Sequence, residues 1–472
     1  MFYLYLAFLL SIMNLTAIKI LLPEIMIDLN VELNWLTWVV NAYTLPLAAL
    51  IPLAGRIGDI YGPRRFFLGG IVALGLGSLI CGTAFSLGWL IAGRIVQALG
   101  AAFLVPNSLA ILLSKTDEAK RGRVLGIWGS IGATGGVIGP VVAGSLSDLL
   151  SWRSSFLIIA ALALVITVAA ARQMIVNNEL GALAKKGSRH FDALGALVLM
   201  SATTSLLLGT TLLPDWGWQN GWIRTSALAF VLLLYAFYRI EKAASDPLPL
   251  LSPLLLREPR FNLGLLVGFL EQFVMAGTLF IMPILFTTVQ GHSAATTALL
   301  LTPAAATVAV FSPIGGRLAD RFGPGLPITF GMLLRGISFY MLSQITLETA
   351  YLYIAISLAL NGLGFSLTST PALYSVLATV SSNEHGITSG VHNMVRFTGA
   401  AAGTTIGGIV LYALIPKSFA GLTGAIPGFQ EAFLLGAFFC LPGVAAGVYL
   451  ALLHRKEQAR RTDPGLNAKG EV

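Results

Sequence analysis

Read by polarity alone, the chain is a series of apolar runs, each about 20 residues long, separated by short polar breaks. Runs of that length suit helices that cross a bilayer, where every backbone amide has to be paired inside its own segment. Fourteen spans are predicted, near 2–22, 36–54, 65–85, 88–112, 124–147, 153–172, 192–213, 222–239, 261–286, 294–315, 326–345, 350–371, 388–413 and 430–452. The period-two alternation of a membrane strand barrel is absent. The fold class expected is all-α and integral to the membrane. No signal peptide is expected, since residues 1–13 lack a basic stretch and no small-residue cleavage site follows.

Composition agrees: 56% hydrophobic and 11% charged residues leave too little polar surface for a soluble body of 472 residues. The net charge of +8 is explained by orientation. With alternate loops assigned to the cytoplasm, 22 of the 29 lysines and arginines fall on that side, three (Arg153, Arg224, Lys417) on the other, and four inside spans. Both termini are then cytoplasmic, and no nucleic-acid partner is needed to explain the basic balance. Cys81 and Cys440 offer neither a disulfide framework nor a metal spacing. The sequence contains no GxxxxGK[ST], HExxH or GxSxG, so neither an enzyme nor direct use of ATP is expected, and no cofactor or metal.

An internal repeat sets the organisation. GRIGDIYGP at 55–63 and GRLADRFGP at 316–324 share five of nine positions at an offset of 261. A parallel duplication of this kind is typical of alternating-access carriers. Six spans with short loops need only ~190 residues at roughly 30 each, so the surplus of ~70 provides two extra spans between the repeats. The expected layout is a six-helix bundle over 1–172, two additional helices with linkers over 173–245, a second six-helix bundle over 246–452, and a cytoplasmic tail over 453–472.

The repeated segments carry charges at helix ends: Gly55, Arg56, Asp59, Gly62, Arg64 and Arg65 in one copy, Arg317, Asp320 and Gly323 in the other. Asp59 and Asp320 beside arginines can latch one conformation through charge-assisted bonds, and Asp117 in TDEAKRGR can pair with Arg64 or Arg65. In the fifth span Gly132, Gly136, Pro140 and Gly144 recur every four residues, with Gly139 between them, which predicts one small-residue face and a kink. Gly399, Gly403 and Gly407 repeat the pattern.

An ionisable group at membrane depth costs at least ~2.5–3.5 kcal/mol, so each needs a partner, water or a function. The inventory is Lys19, Arg94, Glu271, Arg335 and Arg396. Glu271 is the acid nearest mid-span, and burial favours the neutral carboxyl that a proton carrier requires. It could equally be a permanent partner for Arg94 or Arg396. His392, one turn before Arg396, is a second proton candidate or a packed polar residue. Asn41, Gln97 and Asn361 could bond cargo or hold helices together. Arg335 lies in a helix expected to face lipid, and nothing in the sequence gives it a function.

Taken together, these motifs resemble the major facilitator superfamily, in particular its fourteen-helix drug:proton antiporters of the EmrB/QacA type. The resemblance rests on GRIGDIYGPRRFF, on Arg94-Ile-Val-Gln97-Ala-Leu-Gly100, on GATGGVIGPVVAG, on Trp38-Val-Val-Asn41-Ala-Tyr43, on WRSSF at 152–156, on FDALG at 191–195 and on HNMVRFTGAAAG at 392–403. It implies a secondary exporter of small amphiphilic, drug-like compounds in a bacterial cytoplasmic membrane. Its partners would be cargo, protons and lipid, with a periplasmic adaptor if the source is Gram-negative, and it would function as a monomer. It also implies that the helix holding Glu271 lines the cavity and that Arg94 and Arg396 are wall residues. One departure concerns the first helix, where relatives carry Asp-x-Thr-x-x-Asn and this chain reads Asn14-Leu-Thr16-Ala-Ile-Lys19. Lys19 either snorkels outward to Glu24 or Asp28, or faces the cavity beside Asn14 and favours neutral or anionic cargo. A dedicated exporter or facilitator of one endogenous metabolite is the alternative function.

Overall fold

The structure, a computed structural model, describes residues 2–116, 121–176, 193–217, 219–243, 255–380, 385–414 and 426–462. They form fourteen α-helices: α1 Phe2–Asp28, α2 Leu33–Tyr61, α3 Pro63–Gly82, α4 Leu87–Ser114, α5 Arg121–Leu149, α6 Trp152–Val176, α7 Ala193–Trp216, α8 Gly221–Ala243, α9 Pro259–Ile284, α10 Ala294–Phe322, α11 Gly325–Leu342, α12 Tyr351–Leu377, α13 His385–Leu414 and α14 Ile426–Thr462. No strand occurs among the described residues. Eleven of the helices are long and apolar enough to cross a membrane, and α2 and α7 hold shorter apolar stretches, Trp35–Ile51 and Leu197–Leu213. The fourteen predicted runs thus match the helices in number, whereas the stricter length-and-hydropathy test passes eleven.

The repeated GRxxDxxGP segment forms the last turns of α2 and α10, a continuation of the helix where polarity suggested a break. In both copies the glycine stops the helix by taking a positive φ, 102° at Gly62 and 77° at Gly323, which side chains with a Cβ adopt at a cost. Pro63 then opens α3, and Pro324 stands directly before α11.

The duplication reappears in the packing. α1 packs on α5, α2 on α4, and α3 on α4 and α6; eight helices later α9 packs on α13, α10 on α12, and α11 on α12 and α14. The two sets meet reciprocally, α2 against α13 and α5 against α10. α7 lies over the α2–α13 seam and carries α8 on its far side.

Close approach in the second set depends on α13 glycines. A Cβ at Gly399 or Gly403 would collide with the carbonyl of Phe269 or Phe273 on α9. In α5 the small residues are shared out. Gly132 meets Phe8 and Gly139 meets Met13 and Thr16 on α1, Gly144 meets the backbone of Ala294 on α10, and Gly136 faces open space. The expected single face is corrected here for a geometric reason. At 3.6 residues per turn an every-four row drifts, and Gly132 and Gly144 end about 120° apart. Pro140 remains inside the helix.

The two sets are sealed at the end of the bundle away from the chain termini. Ile20, Leu21 and Ile25 of α1 belong there to one apolar cluster with Phe280, Ile281 and Ile284 of α9 and Leu301 of α10. Toward the other end, α1 and α9 each present a partly exposed strip. On α1 it runs through Tyr5, Leu9, Ile12, Thr16 and Lys19; on α9 it runs through Asn262, Leu266, Phe269, Gln272, Met275 and Leu279. α1 is covered by α5, α6 and α4, with Leu9, Ile12 and Thr16 of its strip against Gly135 and Gly139 of α5, and α9 is covered by α13, α12 and α14.

Candidate functional site

The second set buries a charged pair. Glu271 on α9 has no exposed surface, and its Oε1 accepts from Nε of Arg396 on α13 at 2.8 Å. Arg396 keeps 22% of its side chain exposed and also donates to Asn393 Oδ1 at 3.4 Å and Ser369 Oγ at 3.3 Å. The second carboxylate oxygen, Oε2, has no hydrogen-bond partner. Of the two partners left open by the sequence, the structure selects Arg396. His392 is buried with neither ring nitrogen bonded, its Nε2 packed with the Arg396 stem over Gly268.

Arg335 corrects the expectation that its helix turns it to lipid. Phe330, Ile337 and Tyr340 take the outer face of α11, while Arg335 is fully buried, its guanidinium 5.6 Å from the Phe365 ring centre and without a hydrogen bond. It lies within Coulombic range of Glu271. The acid therefore stands between two arginines, bonded to one of them.

The first set treats its cation differently. Arg94 is fully buried, donating Nε to the Val39 carbonyl at 3.2 Å and Nη1 to Gln97 Oε1 at 2.8 Å, with its guanidinium 4.4 Å above the Tyr43 ring. Gln97 passes the chain on to Ser78 Oγ at 2.8 Å. Arg94 was expected on a cavity wall and Gln97 as either a cargo contact or a tie between helices; both are engaged between α2, α3 and α4. Asn41 likewise joins helices, donating to Thr405 Oγ1 at 2.6 Å on α13 and to Thr211 Oγ1 at 3.2 Å on α7. Asn361 donates to Thr278 Oγ1 at 3.3 Å inside the second set. Asn14 is fully buried with neither amide atom bonded.

Lys19 makes no hydrogen bond or ion pair among the described residues. The acids to which it was expected to snorkel are engaged elsewhere. Glu24 accepts from the Trp152 backbone N–H at 3.3 Å, and Asp28 accepts from Trp152 Nε1 at 3.2 Å and pairs with Arg153 at 2.8 Å. WRSSF thus ties α6 to the end of α1.

The gate residues are only partly visible. The side chains of Arg56 and Asp59, and Asp117 altogether, lie outside the described residues. Arg65, Arg317 and Asp320 are exposed and Arg64 is buried; no ion pair engages Asp320 among the described residues. At the opposite end stands a contact the sequence reading missed. Asp148, at the end of α5, accepts the backbone N–H groups of Ala294 and Ala295 at 3.0 and 3.1 Å, so its carboxylate sits on the N-terminus of α10 and joins the two sets. No local motif marks it, because Ser293 already caps α10 within its own chain segment.

A duplicated bundle of apolar helices, closed at one end by an apolar cluster, has the architecture of a membrane transporter. The sequence profile of the Major Facilitator Superfamily matches residues 4–189 and again 188–404. The chain belongs to that superfamily. It is 31% identical over 408 residues to the multidrug resistance protein Stp of Mycobacterium tuberculosis (strain CDC 1551 / Oshkosh), covering 84% of this chain and 72% of that one. It is 30% identical to the cephamycin export protein CmcT of Amycolatopsis lactamdurans, covering 97% and 92%. The methylenomycin A resistance protein of Bacillus subtilis (strain 168) is 28% identical, covering 94% and 93%. Among solved structures, a peptide transporter POT in complex with sulfate superposes with a TM-score of 0.67 at 13% identity, covering 93% and 92%, and the nucleoside transporter NupG with 0.66 at 12%, covering 95% and 98%. At that identity the structures speak for the fold alone.

Proposed function

We propose that the protein is a secondary active exporter of small amphiphilic compounds, working by alternating access with proton antiport, of the fourteen-helix drug:proton antiporter type. The observation that carries this is the Glu271–Arg396 pair, a buried acid bonded to a partly exposed cation. When Glu271 takes a proton its charge is lost and the hold on Arg396 weakens; deprotonation restores the pair. One proton thereby switches the site between a paired and an unpaired state, and antiport requires that cargo bind the unprotonated, paired one. The relatives, named for multidrug resistance and for resistance to or export of antibiotics, support this reading.

In this reading residues 1–172 and 246–452 are the two moving bundles, and Asp59 and Asp320 latch their ends. The 22-to-3 split of basic residues supports a cytoplasmic location for both termini in a bacterial cell. Single cysteines replacing Arg65 and Phe322 are expected to react only from the cytoplasmic side, and external labelling would overturn the orientation. For coupling, Glu271→Gln in proteoliposomes is expected to lose accumulation driven by a pH gradient while keeping downhill exchange of cargo. Accumulation at the wild-type level by Glu271→Gln would remove the coupling role.

A further inference from the structure

We propose that Arg335 is a positioning residue of the proton switch: it stands as a fixed second counter-charge to Glu271 and sets the pH at which that acid exchanges its proton. The proposal rests on the antiport reading above and adds a residue outside the Glu271–Arg396 pair. Arg335 has no exposed surface, and none of its three side-chain nitrogens has a hydrogen-bond partner. A guanidinium buried in that way is costly unless an opposite charge stands close. Among the described residues of α9–α14, Glu271 is the only fully buried acid. Packing brings the two together. Val267 of α9 and Met332 of α11 belong to one apolar cluster; Glu271 lies one turn on from Val267 and Arg335 one turn on from Met332, along helices that run the same way. On α12 a Cβ at Gly364 would collide with the Arg335 stem, and Thr368, one turn further, donates to the Gly364 carbonyl at 3.1 Å and lies beside the Glu271 carboxylate.

The two arginines divide the work by their surroundings. Arg396 is 22% exposed and shares its donors among Glu271, Asn393 and Ser369, so it can leave the acid. Arg335 is enclosed, with the Phe365 ring 5.6 Å from its guanidinium and no bond to exchange, so its charge stays where it is. In a low dielectric that charge acts on the carboxylate without a hydrogen bond, whether or not Arg396 is paired. No other group around Glu271 duplicates it. From α13 the remaining titratable side chain is His392, over Gly268, and from α14 it is the buried Cys440 thiol, which lies beside Arg335. α12 carries no charged residue and has its tyrosines in its first and last turns, α10 has no charge before Arg317, and Lys19 of α1 forms no ion pair among the described residues.

The test follows the proton itself on the purified full-length chain. Infrared difference spectroscopy records the carboxylic-acid C=O band of Glu271, identified by its absence from Glu271→Gln, against pH. Losing the nearby positive charge leaves the ionised carboxylate with less support, so in Arg335→Met the protonation midpoint is expected to rise by about one pH unit or more, a tenfold change in the equilibrium. Arg335→Lys, which keeps a charge, is expected to stay within about half a unit of the wild type. Methionine leaves no polar group unpaired, and a cooperative melting transition in detergent shows that the variant is folded; Arg335→Gln serves as a second neutral replacement with the same expected shift. A merely structural arginine would alter the melting temperature and leave the midpoint in place. The proposal is overturned if the midpoint in the neutral variants rises by less than about half a unit, or if Arg335→Lys moves it as far as they do. Failure of the antiport reading would appear instead as gradient-driven accumulation by Glu271→Gln, which this titration does not measure.

Discussion

The two six-helix sets bury the same kind of side chain and stabilise it by different means. In the first, Arg94 is held by a carbonyl, an amide and an aromatic face, all of them neutral. In the second, Arg396 is held by a carboxylate. Neutral donors and π-faces stay as they are over the whole physiological pH range, so the first arrangement is permanent. A carboxylate can be discharged by one proton, so the second can be undone and remade. In the proposed mechanism the duplication thus pairs a fixed bundle with a switchable one on a common architecture, and the switch is one acid, Glu271.

The largest expected effect tests this contrast directly. Glu271→Gln should reduce gradient-driven accumulation to the level seen without a gradient, whereas Arg94→Met should leave its pH dependence unchanged. Measured side by side in proteoliposomes, equal loss of coupling in both variants would break the comparison. Arg94→Met should instead act on stability, because it leaves the Val39 carbonyl and Gln97 Oε1 buried without their donor. That should cost ~1–3 kcal/mol, read as a lowered melting temperature in detergent.

A smaller effect is expected at the seal. Asp148→Ala removes the acceptor that ties the α10 N-terminus to α5, worth ~1 kcal/mol by analogy with an N-cap, and should shift the sealed and unsealed populations by roughly fivefold. A cysteine at Leu301, buried in the sealing cluster, should then react correspondingly faster with an impermeant maleimide applied from outside. An unchanged rate would mean that the apolar cluster alone holds the seal.

Much of this fold was legible because it is written locally. Helix count follows from apolar run length, and the duplication follows from two nine-residue segments at an offset of 261 that end in the same glycine-proline stop. The site was legible as an inventory of buried charges and illegible as an arrangement. Arg335 was misplaced because hydropathy does not show which face of a helix turns inward when both faces are apolar. Lys19 was given the wrong alternative partners because Trp152 and Arg153, which occupy Glu24 and Asp28, come from a helix more than a hundred positions away. Asp148 was missed because its partners are backbone amides 146 and 147 positions on, and backbone amides leave no mark in a sequence.

The sequence by itself determined that this chain is a duplicated helical membrane protein, and that Lys19, Arg94, Glu271, Arg335 and Arg396 lie deep in its spans, four of the five being positive. The tertiary structure decided how those charges are held: Arg396 by Glu271, 125 positions away, Arg94 by neutral groups, and Lys19 by no ion pair or hydrogen bond among the described residues. The reason is one of range. Partition into a bilayer depends on the composition of about twenty consecutive residues and is fixed segment by segment, whereas an ion pair forms within a few ångströms and depends on how helices distant in the chain rotate against one another.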